Sequence, residues 1–124
     1  MRPVLVALLA AAAAAGCAAT RAYEGAARPA SELAVIEGAP SFSAGLPLAP
    51  VLRKVDEQVV GVGYTRVEVL PGRHHVLVDC VMSATHTTTR FELEFEAFAG
   101  RRYVLVATSA SGNQRCGSVT AEER

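Results

Sequence analysis

The segment TTTRFELEFEA, residues 87–97, alternates apolar and charged side chains without a break. Successive side chains of a β-strand point to opposite faces, so the pattern predicts a strand with one buried face and one solvated face. A helix would spread the glutamates around its circumference instead. The apolar positions are Phe91, Leu93, Phe95 and Ala97, and the charged positions are Arg90, Glu92, Glu94 and Glu96.

The strand that precedes this segment predicts the register of a hairpin. The run RHHVLVDCVM, residues 73–82, is rich in β-branched side chains. Pairing Met82 with Thr87 leaves a four-residue loop and sets Val78 opposite Phe91. A slip of one residue would place a charged side chain opposite Val78, so this register is favoured.

A second hairpin is predicted between the strand at residues 87–97 and the strand that follows it. Pairing Ala97 with Arg101 leaves a three-residue loop in which Gly100 takes the left-handed position that such loops need. Phe95 then falls opposite Tyr103, and both hairpins agree about which face of the sheet is buried.

The remainder of the chain predicts further short strands and no helix. About seven strands in about a hundred residues predict an all-β domain, a small two-sheet antiparallel sandwich over residues 32–124. A loop rich in proline is expected at 39–50. The other strands are expected at 32–38, 51–56, 64–70, 101–110 and 115–121.

An apolar run at the start of the chain ends at Gly16-Cys17. One arginine, about a dozen apolar residues and then small residues predict a signal peptide over residues 1–16. A membrane-spanning helix needs roughly 20 apolar residues, and this run is shorter. The sequence Ala14-Ala15-Gly16-Cys17 resembles the lipobox of bacterial lipoproteins. The alternative for Cys17 is a free thiol beside the cleavage site.

The resemblance to a lipobox implies cleavage before Cys17 and acylation of this cysteine, which would attach the protein to a membrane. Two or three acyl chains make a stable anchor where one would not. Ala18 stands where an aspartate would favour retention in the inner membrane, so the resemblance favours the outer membrane, facing the periplasm. Residues 17–31 are small and polar, and we expect them to act as a lipidated tether.

Charge argues against nucleic acid as a partner. Loss of residues 1–16 removes Arg2 and leaves one more acidic than basic side chain. The chain has no basic stripe that would neutralise a series of phosphates.

Cys80 and Cys116 remain as an even pair in an oxidising compartment, which favours a disulfide. In a simple meander the two cysteines would lie several strand spacings apart, whereas bridged Cα atoms lie within about 7 Å. The bridge therefore requires the last strand to cross the sandwich or to return beside the Cys80 strand.

The histidines and carboxylates do not form a recognisable catalytic or metal-binding motif, and no cofactor is expected. His74 and His75 should point to opposite faces of one strand, and His86 lies in the predicted loop far from them. The glutamates of residues 87–97 share a face that we interpret as solvated. Asp79 is expected on the outer face of its strand.

Three arginines are predicted at hairpin turns. Arg73, Arg101 and Arg102 would form a small anion-binding patch if those turns met at one end of the domain. Scattered surface arginine is the simpler interpretation.

Short phrases of the sequence resemble a known family. LPGRHHVLVDC (70–80) and AGRRYVLVA (99–107) resemble the turn-and-strand phrases of PEGA-like β-sandwich modules. Residues 23–38 resemble the start of small uncharacterised bacterial lipoproteins that carry such a domain. The resemblance implies a location in the cell envelope and no established catalytic residues.

Three classes of function are open. The first is a lipid-anchored, non-enzymatic binding or accessory module, in which an exposed sheet edge accepts a strand from an envelope protein. The second is a carrier of a small molecule or metal ion, which requires a pocket where His75, Asp79 and another ligand converge. The third, a hydrolase, is disfavoured by the size of the chain and the missing motifs.

Overall fold

A computed structural model describes residues 19–43 and 45–124, and these residues form ten strands. The prediction of an all-β two-sheet sandwich is confirmed, with ten strands rather than about seven. The strands are β1 (Ala19–Arg21), β2 (Ala34–Gly38), β3 (Ser41–Ser43), β4 (Leu46–Val55), β5 (Gln58–Val59), β6 (Arg66–Val69), β7 (Gly72–Met82), β8 (Thr87–Ala97), β9 (Arg102–Ser109) and β10 (Cys116–Glu123). Short 3-10 turns lie at Ala30–Glu32, Ser83–Thr85 and Ser111–Asn113.

The strands form two sheets that pack face to face. Sheet A has the order β1-β6-β2-β9-β10, and sheet B has the order β3-β4-β7-β8, with β5 also paired to β4. Two pairings in sheet A are parallel, β1 with β6 and β2 with β9. The expectation of purely antiparallel sheets is therefore corrected, because the chain passes between the sheets and returns beside strands that are distant in sequence.

The β7–β8 hairpin has the predicted register. Met82 pairs with Thr87 and Val78 pairs with Phe91, and the pairing continues to Gly72 and Ala97 without a bulge. A slip of one residue would place the charged side chains of β8 on the inner face, so the alternation together with the four-residue loop sufficed to predict the register.

The predicted hairpin between β8 and β9 is wrong. After Ala97 the chain crosses to sheet A, where β9 lies between β2 and β10. Gly100 does adopt a left-handed conformation (φ 78°), and its N–H donates to the carbonyl of Leu33 at 2.7 Å. The rings of Phe95 and Tyr103 still meet, with centroids 5.3 Å apart, but across the interface between the sheets. The apolar positions of β8 and β9 face the core whether the two strands pair in one sheet or lie in opposite sheets, so the apolar pattern does not distinguish these arrangements.

The loop predicted at 39–50 is wrong over most of its length, because β3 occupies Ser41–Ser43 and β4 begins at Leu46. Proline lacks an N–H and is tolerated where a strand is unpaired on one side. Pro50 pairs with Cys80 of β7, and β3 covers only the first residues of β4. Gly38 passes so close to this strand that a Cβ would lie 2.5 Å from the carbonyl oxygen of Pro50.

Part of the predicted tether lies in sheet A. Ala19–Arg21 forms β1 along β6, and the N–H of Ala22 donates to the carbonyl of Glu68 at 2.9 Å. The interpretation of residues 17–31 as a tether is corrected for this strand. Residues 1–16 and Cys17 lie outside the described residues.

The core fills the space between the two sheets, and a disulfide crosses it. Cys80 of β7 and Cys116 of β10 are fully buried, and their Cα atoms lie 6.2 Å apart. In a single meandering sheet the two cysteines would be too far apart to bond. They are close here because β10 belongs to the opposite sheet. The other fully buried large side chains of this core are Ile36, Leu48, Val55, Val67, Val69, Val76, Val78, Met82 and Leu105.

Replacing both bridged cysteines, Cys80→Ala with Cys116→Ala, is expected to lower the free energy of unfolding by about 2–4 kcal/mol. The bridge spans 36 positions, and its loss restores the corresponding chain entropy to the unfolded state. Urea unfolding followed by circular dichroism measures the change. Reductant should lower the stability of the wild type and leave the double variant unchanged, and an equal effect on both would contradict the prediction.

Candidate functional site

A charged cluster lies on the outer face of sheet B. Asp79 occupies the middle of β7 and points away from the core, as predicted, yet the residue is only 5% exposed. Arg53 of β4 and Arg90 of β8 cover its carboxylate from the two neighbouring strands. We refer to these three residues as the Asp79 cluster.

Both arginines donate hydrogen bonds to the carboxylate. Nε of Arg90 lies 2.8 Å from Oδ1 of Asp79, and Nη2 of Arg90 lies 3.1 Å from Oδ2. Nε of Arg53 lies 2.9 Å from Oδ2. The hydrogen bond from Arg90 is the largest influence on the pKa of Asp79, and together with Arg53 it lowers that pKa despite the opposing effect of burial.

The Asp79 cluster holds three strands together rather than offering a reactive group. An ionised carboxylate whose oxygens accept hydrogen bonds from two guanidinium groups is a poor general base. Arg90 could have been named from the predicted register, since it pairs directly with Asp79. Arg53 could not, because it lies at an irregularity of β4 between Leu52 and Lys54.

His74 and His75 point to opposite faces of β7, as predicted. Nε2 of His74 lies 2.6 Å from the carbonyl of Leu70, and Nδ1 contacts the carboxylate of Asp56. Each ring nitrogen of His74 therefore faces a hydrogen-bond acceptor. His74 therefore ties β7 to the turn that follows β4.

His75 and Asp79 do not converge on a ligand. His75 contacts Glu92 (Nε2 to Oε1, 2.9 Å) and borders a shallow hollow of about 200 Å³ with Lys54, Asp56 and Glu57. The carboxylate of Asp79 already accepts hydrogen bonds from Arg53 and Arg90. His86 lies in the loop between β7 and β8, and no group of three potential metal ligands occurs in residues 19–43 or 45–124.

The three turn arginines each lie beside a different glutamate. Arg73 lies in sheet B, 3.6 Å from Glu94, whereas Arg101 and Arg102 lie at the start of β9 in sheet A. Arg101 and Arg102 are each within 4.0 Å of a glutamate. The interpretation of these arginines as scattered surface residues therefore fits. The glutamates of β8 lie on an exposed face of the strand.

β8 is an edge strand of sheet B, with an unpaired backbone on the side away from β7 in the described chain. Among the described strands, β8 pairs only with β7, so one side of its backbone is unpaired along 11 residues. The strand has no proline, glycine or bulge, which are devices that blunt edges in other proteins. Its inner side chains Phe91, Leu93 and Phe95 are only partly buried. We refer to this feature as the β8 edge.

Comparison with protein-family models, with curated proteins and with solved structures finds no match to this chain. Within the described part of the chain, no helix has the length and apolar character needed to cross a membrane.

Asp79→Asn is expected to lower the free energy of unfolding by about 1–3 kcal/mol, because a buried carboxylate that accepts charged hydrogen bonds is lost. Glu94→Gln is the matched control on the same face. Its contact with Arg73 is exposed, so its loss should cost about 0.5 kcal/mol or less. Equal effects of the two substitutions in urea unfolding would contradict the assigned role of Asp79.

The loss in free energy of unfolding caused by Asp79→Asn should depend on pH. A carboxylate whose folded pKa is lowered stabilises the protein above its unfolded pKa, and this stabilisation disappears as the pH falls through the folded pKa. The difference between wild type and Asp79→Asn should therefore be constant above about pH 5 and shrink below about pH 4. Urea titrations across this range measure it.

Proposed function

We propose that this protein is a lipid-anchored, non-enzymatic binding module of the bacterial cell envelope that receives a strand from a partner protein at the β8 edge. Acylated Cys17 holds the domain to the outer membrane, facing the periplasm. The observation that carries the proposal is the β8 edge itself, which is long, free of bulges and paired on one side only among the described strands. A membrane and an envelope protein are its partners.

Backbone hydrogen bonds are the first support for strand addition. The unpaired side of β8 offers N–H and C=O groups in a regular, unbulged row. An added strand would pair with them and would cover the partly buried Phe91, Leu93 and Phe95. Main-chain hydrogen bonds supply affinity in this mode of recognition, and alternate side chains supply specificity.

Charge supplies the second support and indicates the chemistry of the partner. Glu92, Glu94 and Glu96 form a row on the exposed face of β8. Two copies of β8 paired with each other would bring these rows together, which is unfavourable. A segment with lysine or arginine at alternate positions complements the row, so the proposed partner is an extended basic segment of another protein.

The proposed anchor is tested by the mass of the protein. The chain from the membrane fraction should lack residues 1–16 and carry added acyl chains on Cys17, whereas Cys17→Ser should be unacylated and absent from the membrane fraction. Intact mass spectrometry and fractionation measure both. An unacylated wild-type chain would contradict the anchor.

The β8 edge is tested by a photoreactive amino acid placed at Thr88 on β8 or at Thr120 on β10. Both positions are exposed strand residues on edges of the two sheets. We expect a protein adduct at Thr88 and none at Thr120, and we expect Glu94→Lys with Glu96→Lys to reduce the adduct several-fold by removing charge complementarity. Glu122→Lys with Glu123→Lys on β10 changes the net charge by the same amount and is the matched charge control.

Adducts of equal yield at both positions, or no adduct at Thr88, would contradict strand addition at β8. Circular dichroism of each variant shows whether the sandwich is retained. The lysine substitutions lie on an exposed face and should leave the unfolding midpoint nearly unchanged.

A further inference from the structure

The start of β1 limits how far the domain stands from its proposed anchor. Cys17 lies two residues before Ala19, and an extended chain spans at most about 3.6 Å per residue. Two residues of chain reach at most about 7 Å, which is the longest separation the chain permits between the proposed anchor and Ala19. Ala19 pairs with Arg66, so the start of β6 lies at the same end of the sandwich.

The turn that leads into β6 exposes an apolar side chain. Val62 is 94% exposed, the highest value among the large apolar side chains of the described residues. The N–H of Tyr64 donates to the carbonyl of Gly61 at 3.3 Å, which places Val62 at the tip of a tight turn. Val62 lies four residues before Arg66, so their Cα atoms are within about 14 Å.

Tyr64 adds an aromatic ring to the same turn. Its side chain is partly exposed and borders a groove of about 150 Å³ with Gly38, Pro40 and Pro50. Tyrosine is enriched at membrane interfaces because its ring has an apolar body and a polar tip. We refer to Gly61–Tyr64 as the anchor-side turn.

We propose that the anchor-side turn inserts Val62 and Tyr64 into the headgroup region of the membrane that holds Cys17. The inference rests on the proposed acylation of Cys17. The short reach from Cys17 to β1 brings this end of the domain to the lipid, and an apolar side chain there is transferred out of water at little further entropic cost. The contact gives the anchored domain a defined orientation.

The opposite end of the domain provides a matched control. Phe98 is 58% exposed in the connection between β8 and β9. That connection is held to Leu33, before the start of β2, by the N–H of Gly100. The anchor-side turn is held at the other end of β2, where Gly38 donates to the carbonyl of Thr65 at 3.0 Å. The two exposed apolar residues are therefore separated by the length of β2.

The chain contains no tryptophan, so a single tryptophan can report on each end. Val62→Trp and Phe98→Trp both replace exposed apolar side chains. Each acylated protein is purified from membranes and reconstituted in vesicles of phosphatidylethanolamine and phosphatidylglycerol, with and without brominated acyl chains. Tryptophan emission is recorded, and intact mass spectrometry of the vesicle fraction establishes acylation.

We expect Val62→Trp to shift to shorter wavelength and to lose most of its emission in brominated vesicles, while Phe98→Trp remains solvent-exposed and unquenched. Acylated Val62→Trp that stays unquenched would overturn the membrane contact and leave the anchor intact. Equal quenching of both variants would overturn the orientation. A vesicle fraction without acyl chains would overturn the anchor itself, and the mass identifies this outcome.

Discussion

The disulfide between Cys80 and Cys116 is the covalent link between the two sheets, and the stability of the sandwich depends on that link. The bridge holds β7, a central strand of sheet B, over β10, the last strand of sheet A. Both cysteines are fully buried, so the bridge is part of the core rather than a surface link. A chain of this size has a small core, and a covalent link between its layers supplies stability that apolar burial alone provides less readily.

Sheet B has a hydrogen-bonded charged cluster on its outer face and, among the strands described, an unpaired edge at β8. The Asp79 cluster connects β4, β7 and β8 through hydrogen bonds to one buried carboxylate. Its geometry holds β8 firmly on one side while the backbone on the other side is unpaired. An edge that is held rigid in advance loses less conformational entropy when a further strand is added, which favours the proposed binding mode.

The proposed anchor and the β8 edge lie on different parts of the sandwich. β1 is an edge of sheet A, and β8 is an edge of sheet B at the side opposite β3 and β5. A domain held to the membrane beside β1 would therefore keep β8 available to a protein in the periplasm. In this arrangement, attachment and recognition use separate surfaces.

Side-chain alternation by itself determined the local structure. It predicted β7 and β8, their register and the outward position of Asp79, because each follows from the period of a strand and from pairing between sequence neighbours. Only the tertiary structure decided which sheet β9 joins. Inward-facing Phe95 and Tyr103 meet either along one sheet or between two, so their pattern does not distinguish a hairpin from a crossover. The parallel partners of β1 and β2, and the approach of Arg53 to Asp79, likewise depend on contacts between distant segments, which local periodicity does not encode.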